Sequence, residues 1–302
     1  MFAAILTTFC FAASAILARR STGMVGPQLA NLSRQLVALV MLGLWAHLFG
    51  QGLRGPGLTL FIMSGILGFG MGDIALFEAL PRLGAPLTVL IVQCLAVPIG
   101  AVTEWLWIGT RIAPSQMLSS VLILVGVALA IAPERESAIP RGHRLSGFFF
   151  AVLGALGQAW GAVISRQGFQ VDQRIGIHLD GSSSAYQRLL GGIVCIALLV
   201  GFTSLVRRWR NPGSMAPERP WRRAMPWIIG NAIAGPVLGV ALYQWGLRDS
   251  PSAIVLSIVS TAPLAVMMLS FVFEKTRPSR RSVIGSVIAV CGVVAMVSNW
   301  RS

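Results

Sequence analysis

The sequence predicts an all-α integral membrane protein, ten transmembrane helices forming two inverted five-helix repeats around a central cavity. Three observations carry that prediction. With 302 residues, 55% of them hydrophobic and 11% charged, and a mean hydropathy of +0.75, the chain has too little polar material to wrap a soluble domain in water. Apolar runs of the roughly 17–25 residues needed to cross a bilayer recur with short gaps, a pattern that the alternating ten-residue strands of a membrane barrel do not produce. The chain also nearly repeats itself, since Ala4 to Arg19 is echoed 147 residues later by Ala151 to Arg166. Weak internal symmetry of a strongly apolar unit is how inverted-repeat carriers show themselves in sequence.

The spans are expected near 2–18, 27–49, 58–80, 86–108 and 115–133, then 146–165, 183–206, 226–246, 252–273 and 280–299. These give a first repeat over 1–133, a linker at 134–145 and a second repeat over 146–302. Five spans per repeat is an odd number, so the second copy enters from the opposite membrane side. The first span lacks a basic leading segment and has a repeat partner in mid-chain, so it is expected to be retained rather than cleaved as a leader. Cys10, Cys94, Cys195 and Cys291 all fall inside spans without CxxC or Cys/His spacing, which suggests neither disulfides nor a metal site. No cofactor is expected.

The net charge of +14 would fit nucleic-acid binding if it formed a folded basic face. Its densest cluster, Arg207, Arg208, Arg210, Arg219, Arg222 and Arg223, instead carries Trp209 and Trp221 and joins two spans. Arginines and indoles at a membrane edge meet anionic headgroups, so lipid rather than nucleic acid is the expected partner. Outside the spans, the odd-numbered connections hold sixteen Lys and Arg against six for the even ones plus the C-terminus. The rule that positive loops stay inside then puts the odd connections in the cytoplasm of a bacterial-type inner membrane and both termini outside. The other tryptophans, Trp45, Trp105, Trp107, Trp227, Trp245 and Trp300, fit interfacial belts.

A charge near mid-membrane costs several kcal/mol and demands a partner or a watery cavity. Glu78 and Glu104 lie within about a turn of span ends and are expected to reach the interface. Arg34 and Asp73 lie at matching depth on an antiparallel hairpin, and an ion pair between them explains why both are tolerated. Asp73 could equally handle substrate or protons. Arg188 has no acidic counterpart on span eight and should lean on Tyr243, Gln244 or a backbone carbonyl.

Asp73 follows Gly65, Gly68, Gly70 and Gly72, and span eight has Gly235 and Gly239 around Pro236. Small residues four apart let helices approach closely, and interrupted helices at matching places in two halves point to a transport site. Helical spacing puts Thr7, Phe11 and Ser14 on one stripe of span one and Gln158 on its counterpart in span six. Ser257, Ser260 and Thr261 share a face of span nine, although Ser and Thr hydroxyls in membranes often bond their own backbone. With Asp73, Phe77, Gln93, Trp160, Asn231 and Tyr243, these residues form the expected substrate cavity, and Trp160 is the candidate aromatic surface. Gly68, Gly72, Pro98, Gly235, Pro236, Gly239 and Pro263 are expected at hinges or close contacts.

The order of Trp160-Gly161 in span six, Arg34 and Arg188 early in spans two and seven, Pro98 and Pro263, Glu274, and the late glycines Gly126 and Gly292 resembles the drug/metabolite transporter superfamily, specifically its EamA-like ten-helix members. The first half departs in having Ala13-Ser14 where the second has Trp160-Gly161, and Thr110 where the second has Glu274. The resemblance implies a cavity lined by helices one, three, four, six, eight and nine, with five and ten at the periphery. It also implies export of small metabolites, amino acids prominent among them, by a chain expected to act as a monomer. The alternatives are a lipid or amphiphile flippase and an intramembrane enzyme. An ATP-driven pump lacks its Walker motif here, and an enzyme would need a nucleophile and base or a metal site that His47, His143 and His178 do not assemble.

Overall fold

Ten helical rods build the protein in the computed structural model, which describes residues 2–108, 114–131, 141–210, 218–250, 252–274 and 279–298. Thr110, Pro278, Trp300 and most of the expected linker lie outside those residues. The first five rods are α1 (Phe2–Val25), α2 (Pro27–Leu48), α3 (Leu58–Leu83), α4 (Ala85–Ile108) and α5 (Pro114–Ile131). The second five are α6 (Arg141–Arg174), α7 (Gly181–Arg210), α8 (Trp221–Asp249), α9 (Ser252–Val259 and Ala262–Glu274) and α10 (Arg280–Ser298). Among the described residues, eight of these segments are long and apolar enough to cross a membrane.

Several rods outrun the apolar cores that locate them in sequence. Helix α1 continues seven residues past 18, and α6 begins at Arg141, inside the expected linker, and ends at Arg174. The added turns carry Arg19, Arg20, Gln167 and Asp172. Helix formation needs satisfied backbone groups, which polar ends supply as well as apolar ones, whereas hydropathy marks only the lipid-embedded part. Single glycines at positive φ join α1 to α2 (Gly26, φ 85°) and α3 to α4 (Gly84, φ 77°). Each also donates its N–H to a carbonyl four residues back, Thr22 and Leu80 respectively, as a residue ending a helix in the left-handed region does. Pro27 then starts α2, where a missing N–H costs nothing.

Both α3 and α8 contain π-helical stretches, at Ile66–Gly72 and Ile233–Val240. They coincide with the two glycine runs, where the absent side chains let the backbone widen by one residue per turn. Helix α9 breaks at Ser260 and Thr261, just before Pro263, whose ring would clash with a carbonyl one turn back. Pro98, its counterpart, instead sits within a continuous α4. The two prolines thus sit in different backbone, one after a break in α9 and the other inside an unbroken helix.

The packing is reciprocal. Helix α1 packs on α8 and α9, and its repeat equivalent α6 packs on α3 and α4; α2 packs on α7, and α5 on α10. Each half thus supplies the first helix to the other half's third and fourth. Helices α5 and α10 otherwise touch chiefly α4 and α9, a peripheral pair whose crossing is set by Gly126 against Ala289 and Gly292 against Ile123. At the α3–α6 crossing a Cβ on Gly157 would come 2.5 Å from the Gly72 Cα. This contact is rigid backbone on rigid backbone, so only glycine fits at the observed helix separation.

Candidate functional site

Arg34 donates to the Asp73 carboxylate, the pair expected from the hairpin geometry, and the two side chains are 5% and 21% exposed. Asn31, one turn back, accepts from Arg34 Nε at 3.2 Å and from Gln35 Nε2 at 3.1 Å, and the guanidinium lies 4.6 Å over the Phe77 ring. Arg34 is therefore held on three sides by chemistry suited to a planar cation. Among the described residues, Arg188 has no carboxylate bonded to it. With its amide turned to satisfy both ends, Gln244 accepts from Arg188 Nη1 and Nε and from Ser165 Oγ. The Arg188 guanidinium also lies 5.6 Å from the Phe69 ring centroid.

The two arginines occupy reciprocal places. A Cβ on Gly235 would meet Arg34 Nη1 at 2.9 Å, and one on Gly68 would meet Arg188 Nη2 at 2.6 Å. Each guanidinium thus fills the space left by a glycine in the π-helical stretch of the other repeat. The same exchange relates Ser14 Oγ donating to Asn231 Oδ1 at 2.6 Å, between α1 and α8, and Ser64 Oγ donating to the Gly161 carbonyl at 2.6 Å, between α3 and α6. A two-fold relation between the halves generates such paired contacts.

Two adjoining spaces lie between these groups, of about 80 and 60 Å³. Phe11, Phe69, Asp73, Gln158 and Val240 border both. Ser14, Arg34, Phe77, Gln93 and Gly235, with apolar residues between them, add to the first, and Gly68, Arg188 and Tyr243 complete the second. Gln158 donates to Gln93 Oε1 across the repeats. The Tyr243 hydroxyl is buried and, among the described residues, has no hydrogen-bond partner. The lined volume therefore holds two arginines, one carboxylate, two amides and the hydroxyls of Ser14 and Tyr243 among aromatic walls.

Other expected site residues lie elsewhere. Trp160 is half-buried and borders neither space, because two residues along a helix is a turn of about 200° and Gln158 already faces inward. Thr7 is buried with its hydroxyl on the carbonyls of Ala3 and Gly239. Asn231 stands one layer behind Ser14. Ser260 and Thr261 donate to the carbonyls of Ser257 and Ile258, three residues back at the α9 break, and Ser257 is likewise buried. Helix α9 contributes no wall to either space, whereas α2 and α7 contribute their arginines. Gly72, Pro236 and Gly239 are buried packing positions, and Pro98 and Pro263 lie outside both linings. The missed wall residues, Phe69, Leu76, Val89 and Val240, are apolar and carry no signal that separates cavity lining from core.

Glu104 departs from expectation in the other direction. It is buried at 8% exposure, accepts from Ser252 Oγ, and stands near Arg166, which donates to the carbonyls of Leu247 and Arg248 at the end of α8 at 2.7 and 2.9 Å. Glu78 stays within its own helix, paired with Arg82 at 2.7 Å. On the same membrane side as Glu104, Gln51 donates to the His178 carbonyl at 2.8 Å, Gln187 to the carbonyls of Gly52 and Arg54, and the Gly57 N–H to Asp172 at 2.7 Å. That end of the bundle is tied across the repeats by polar bonds. The first space lies toward the other end, bordered by Ala18, Phe77 and Val89 near the α1–α2 and α3–α4 connections, and the second, with Arg188 and Tyr243, lies between it and the tied end.

The arrangement matches the EamA-like transporter family over residues 1–132 and 145–298. The chain belongs to that family. Each matched stretch covers one of the two five-helix halves described above. A relative from Archaeoglobus fulgidus described as an uncharacterized transporter is 24% identical over 298 residues, covering 95% of this chain and 94% of its own. A solved crystal structure with 20% sequence identity superposes with a TM-score of 0.65 over 98% of this chain and 96% of its own, which places the fold alone. This EamA-like protein is thus a multi-pass, all-α membrane transporter with a polar, charge-bearing space between its halves.

Proposed function

We propose that the protein exports small zwitterionic metabolites, amino acids foremost, by alternating access between its two repeats. The observation that carries the reading is the charge set on the central space: Arg34 and Arg188 against Asp73, with the Tyr243 hydroxyl unpartnered beside Arg188. One positive charge is in excess there. A substrate carboxylate at Arg188 and Tyr243 would satisfy both, and its ammonium could approach Asp73, whose carboxylate can accept more bonds than the one Arg34 provides. The two spaces favour a compact solute over a bulky one. On the charge distribution the odd-numbered connections face the cytoplasm of an inner membrane. The polar ties of Gln51, Gln187, Asp172 and Glu104 then close the outer side, and release requires them to part. The protein acts as a monomer without cofactor in this reading.

Counterflow in proteoliposomes tests it. Vesicles loaded with an unlabelled amino acid should accumulate the labelled one transiently, and Arg188→Met should abolish this while the protein remains folded. Absence of counterflow for a full amino-acid panel, with movement of a headgroup-labelled lipid instead, sinks the reading in favour of a flippase.

A further inference from the structure

A further cavity, separate from the central spaces, opens on the outside of the bundle. It is a groove of about 720 Å³ between the end of α2, the start of α7 and the second half of α8. Its floor of Met41, Leu42, Val237, Leu238, Ala241 and Leu242 is apolar, and the exposed rings of Trp45, Phe49 and Trp245 form its walls. Polar groups occur only at one end, where Gln51, Asp180, Ser182 and Arg248 gather. Leu42, with Phe69 and Val240, belongs to the buried cluster that separates the groove from the central space.

The dimensions select the occupant. From Val237 to Arg248 is eleven residues of α8, so along that wall the groove runs roughly 15 Å, half the thickness of a bilayer's hydrocarbon core. An apolar channel one leaflet deep, ending in charged groups at the membrane face, has the polarity profile of a single phospholipid. The charged end is complementary to a headgroup with both signs. Arg248 uses Nε and Nη2 on Asp249 at 2.7 and 3.2 Å, so among the described residues its Nη1 N–H groups are left for a phosphate oxygen. Asp180 accepts from the N–H groups of Ser182 and Ser183 and from Ser183 Oγ. A carboxylate has about four acceptor positions, which leaves roughly one for an ammonium donor.

We propose that this groove binds one phospholipid with a primary-ammonium headgroup, its phosphate on Arg248, its ammonium on Asp180 and an acyl chain along Leu238 and Leu242. The site bears on transport. Asp180 and Gln51 belong to the cross-repeat tie, the Asp180 N–H donating to Gln51 Oε1 at 3.3 Å, and Val237 and Leu238 lie in the π-helical stretch of α8. A lipid seated there holds one wall of the central cavity and the tie together, so its departure is coupled to the tie's opening.

Native mass spectrometry of the full chain, delipidated and then titrated with phosphatidylethanolamine or phosphatidylcholine of the same acyl chains, tests this independently of the substrate reading. The wild type should retain one phosphatidylethanolamine and bind it more tightly than phosphatidylcholine, whose quaternary ammonium cannot donate to Asp180. Leu238→Trp, which fills the groove, should abolish retention, and Arg248→Ala should weaken it by about tenfold, the scale of a lost charge-assisted bond. A thermal melt at the wild-type midpoint for Leu238→Trp shows that the loss is not unfolding. Equal retention in wild type and both variants, equal affinity for the two lipids, or a second copy of the chain covering the groove each overturns the proposal.

Discussion

Arg34 and Asp73 show how much a single pair of charged residues can reveal when each sits in an apolar run. Their depth along neighbouring helices was readable from residue counts, and the pair forms. Arg188 was readable as a charge needing a polar partner, and Gln244 supplies it. Trp160 was not, because the attraction of an aromatic beside a polar residue overrode the helical angle between positions 158 and 160. The prediction for Trp160→Ala follows from its place: counterflow KM should stay at the wild-type value, whereas Gln158→Leu, which removes a donor from the cavity wall, should raise it by about tenfold. Removing one partner of a buried ion pair leaves an uncompensated charge, so Asp73→Ala should cost about 3–5 kcal/mol, read as a lower melting midpoint in detergent. The double change Arg34→Met with Asp73→Ala should recover part of that loss.

At the scale of elements, hydropathy located all ten helices because lipid forces every spanning backbone into a helix of known length. Their ends were less legible, as with α6, since polar turns outside the apolar core obey ordinary helix rules. The glycine runs were legible as interruptions, though not as π-helical stretches, whose extra residue per turn leaves no mark in composition. The two crossings they build should respond differently to substitution. Gly157→Ala sets a methyl against the Gly72 backbone, and the overpacking should cost about 1–3 kcal/mol of stability in a denaturation assay. Gly235→Ala instead sets a methyl against the tips of Ser14 and Arg34. It should therefore leave the melting midpoint nearly unchanged while raising counterflow KM, because the guanidinium can retreat only into the cavity.

For the whole molecule, five apolar runs in each half of a repeating sequence foretold halves that enter from opposite sides, and the reciprocal packing of α1 on α8 and α6 on α3 is the arrangement that such a pair of halves makes. Absolute orientation rests on arginine placement, and cysteine labelling reads it directly. In a background without the four native cysteines, His178→Cys should react with an impermeant maleimide from outside intact cells. Arg222→Cys should react only after the membrane is opened. The reverse pattern would turn the protein over in the membrane without altering its internal geometry.

The reciprocity of the arginines is not matched by reciprocity of the carboxylate. Asp73 faces the central space from α3, while Val240 lines it from α8, so the electric field across that space is lopsided. If the halves exchange roles as proposed, a solute bound at the centre would meet a different field on each side of the membrane, and its two dissociation constants would differ. A passive carrier cannot turn that difference into accumulation, because the Haldane relation forces the translocation rates to compensate. Under the proposed alternating access, a passive carrier of this build would be a kinetic rectifier, responding most steeply to changes in solute concentration on one side.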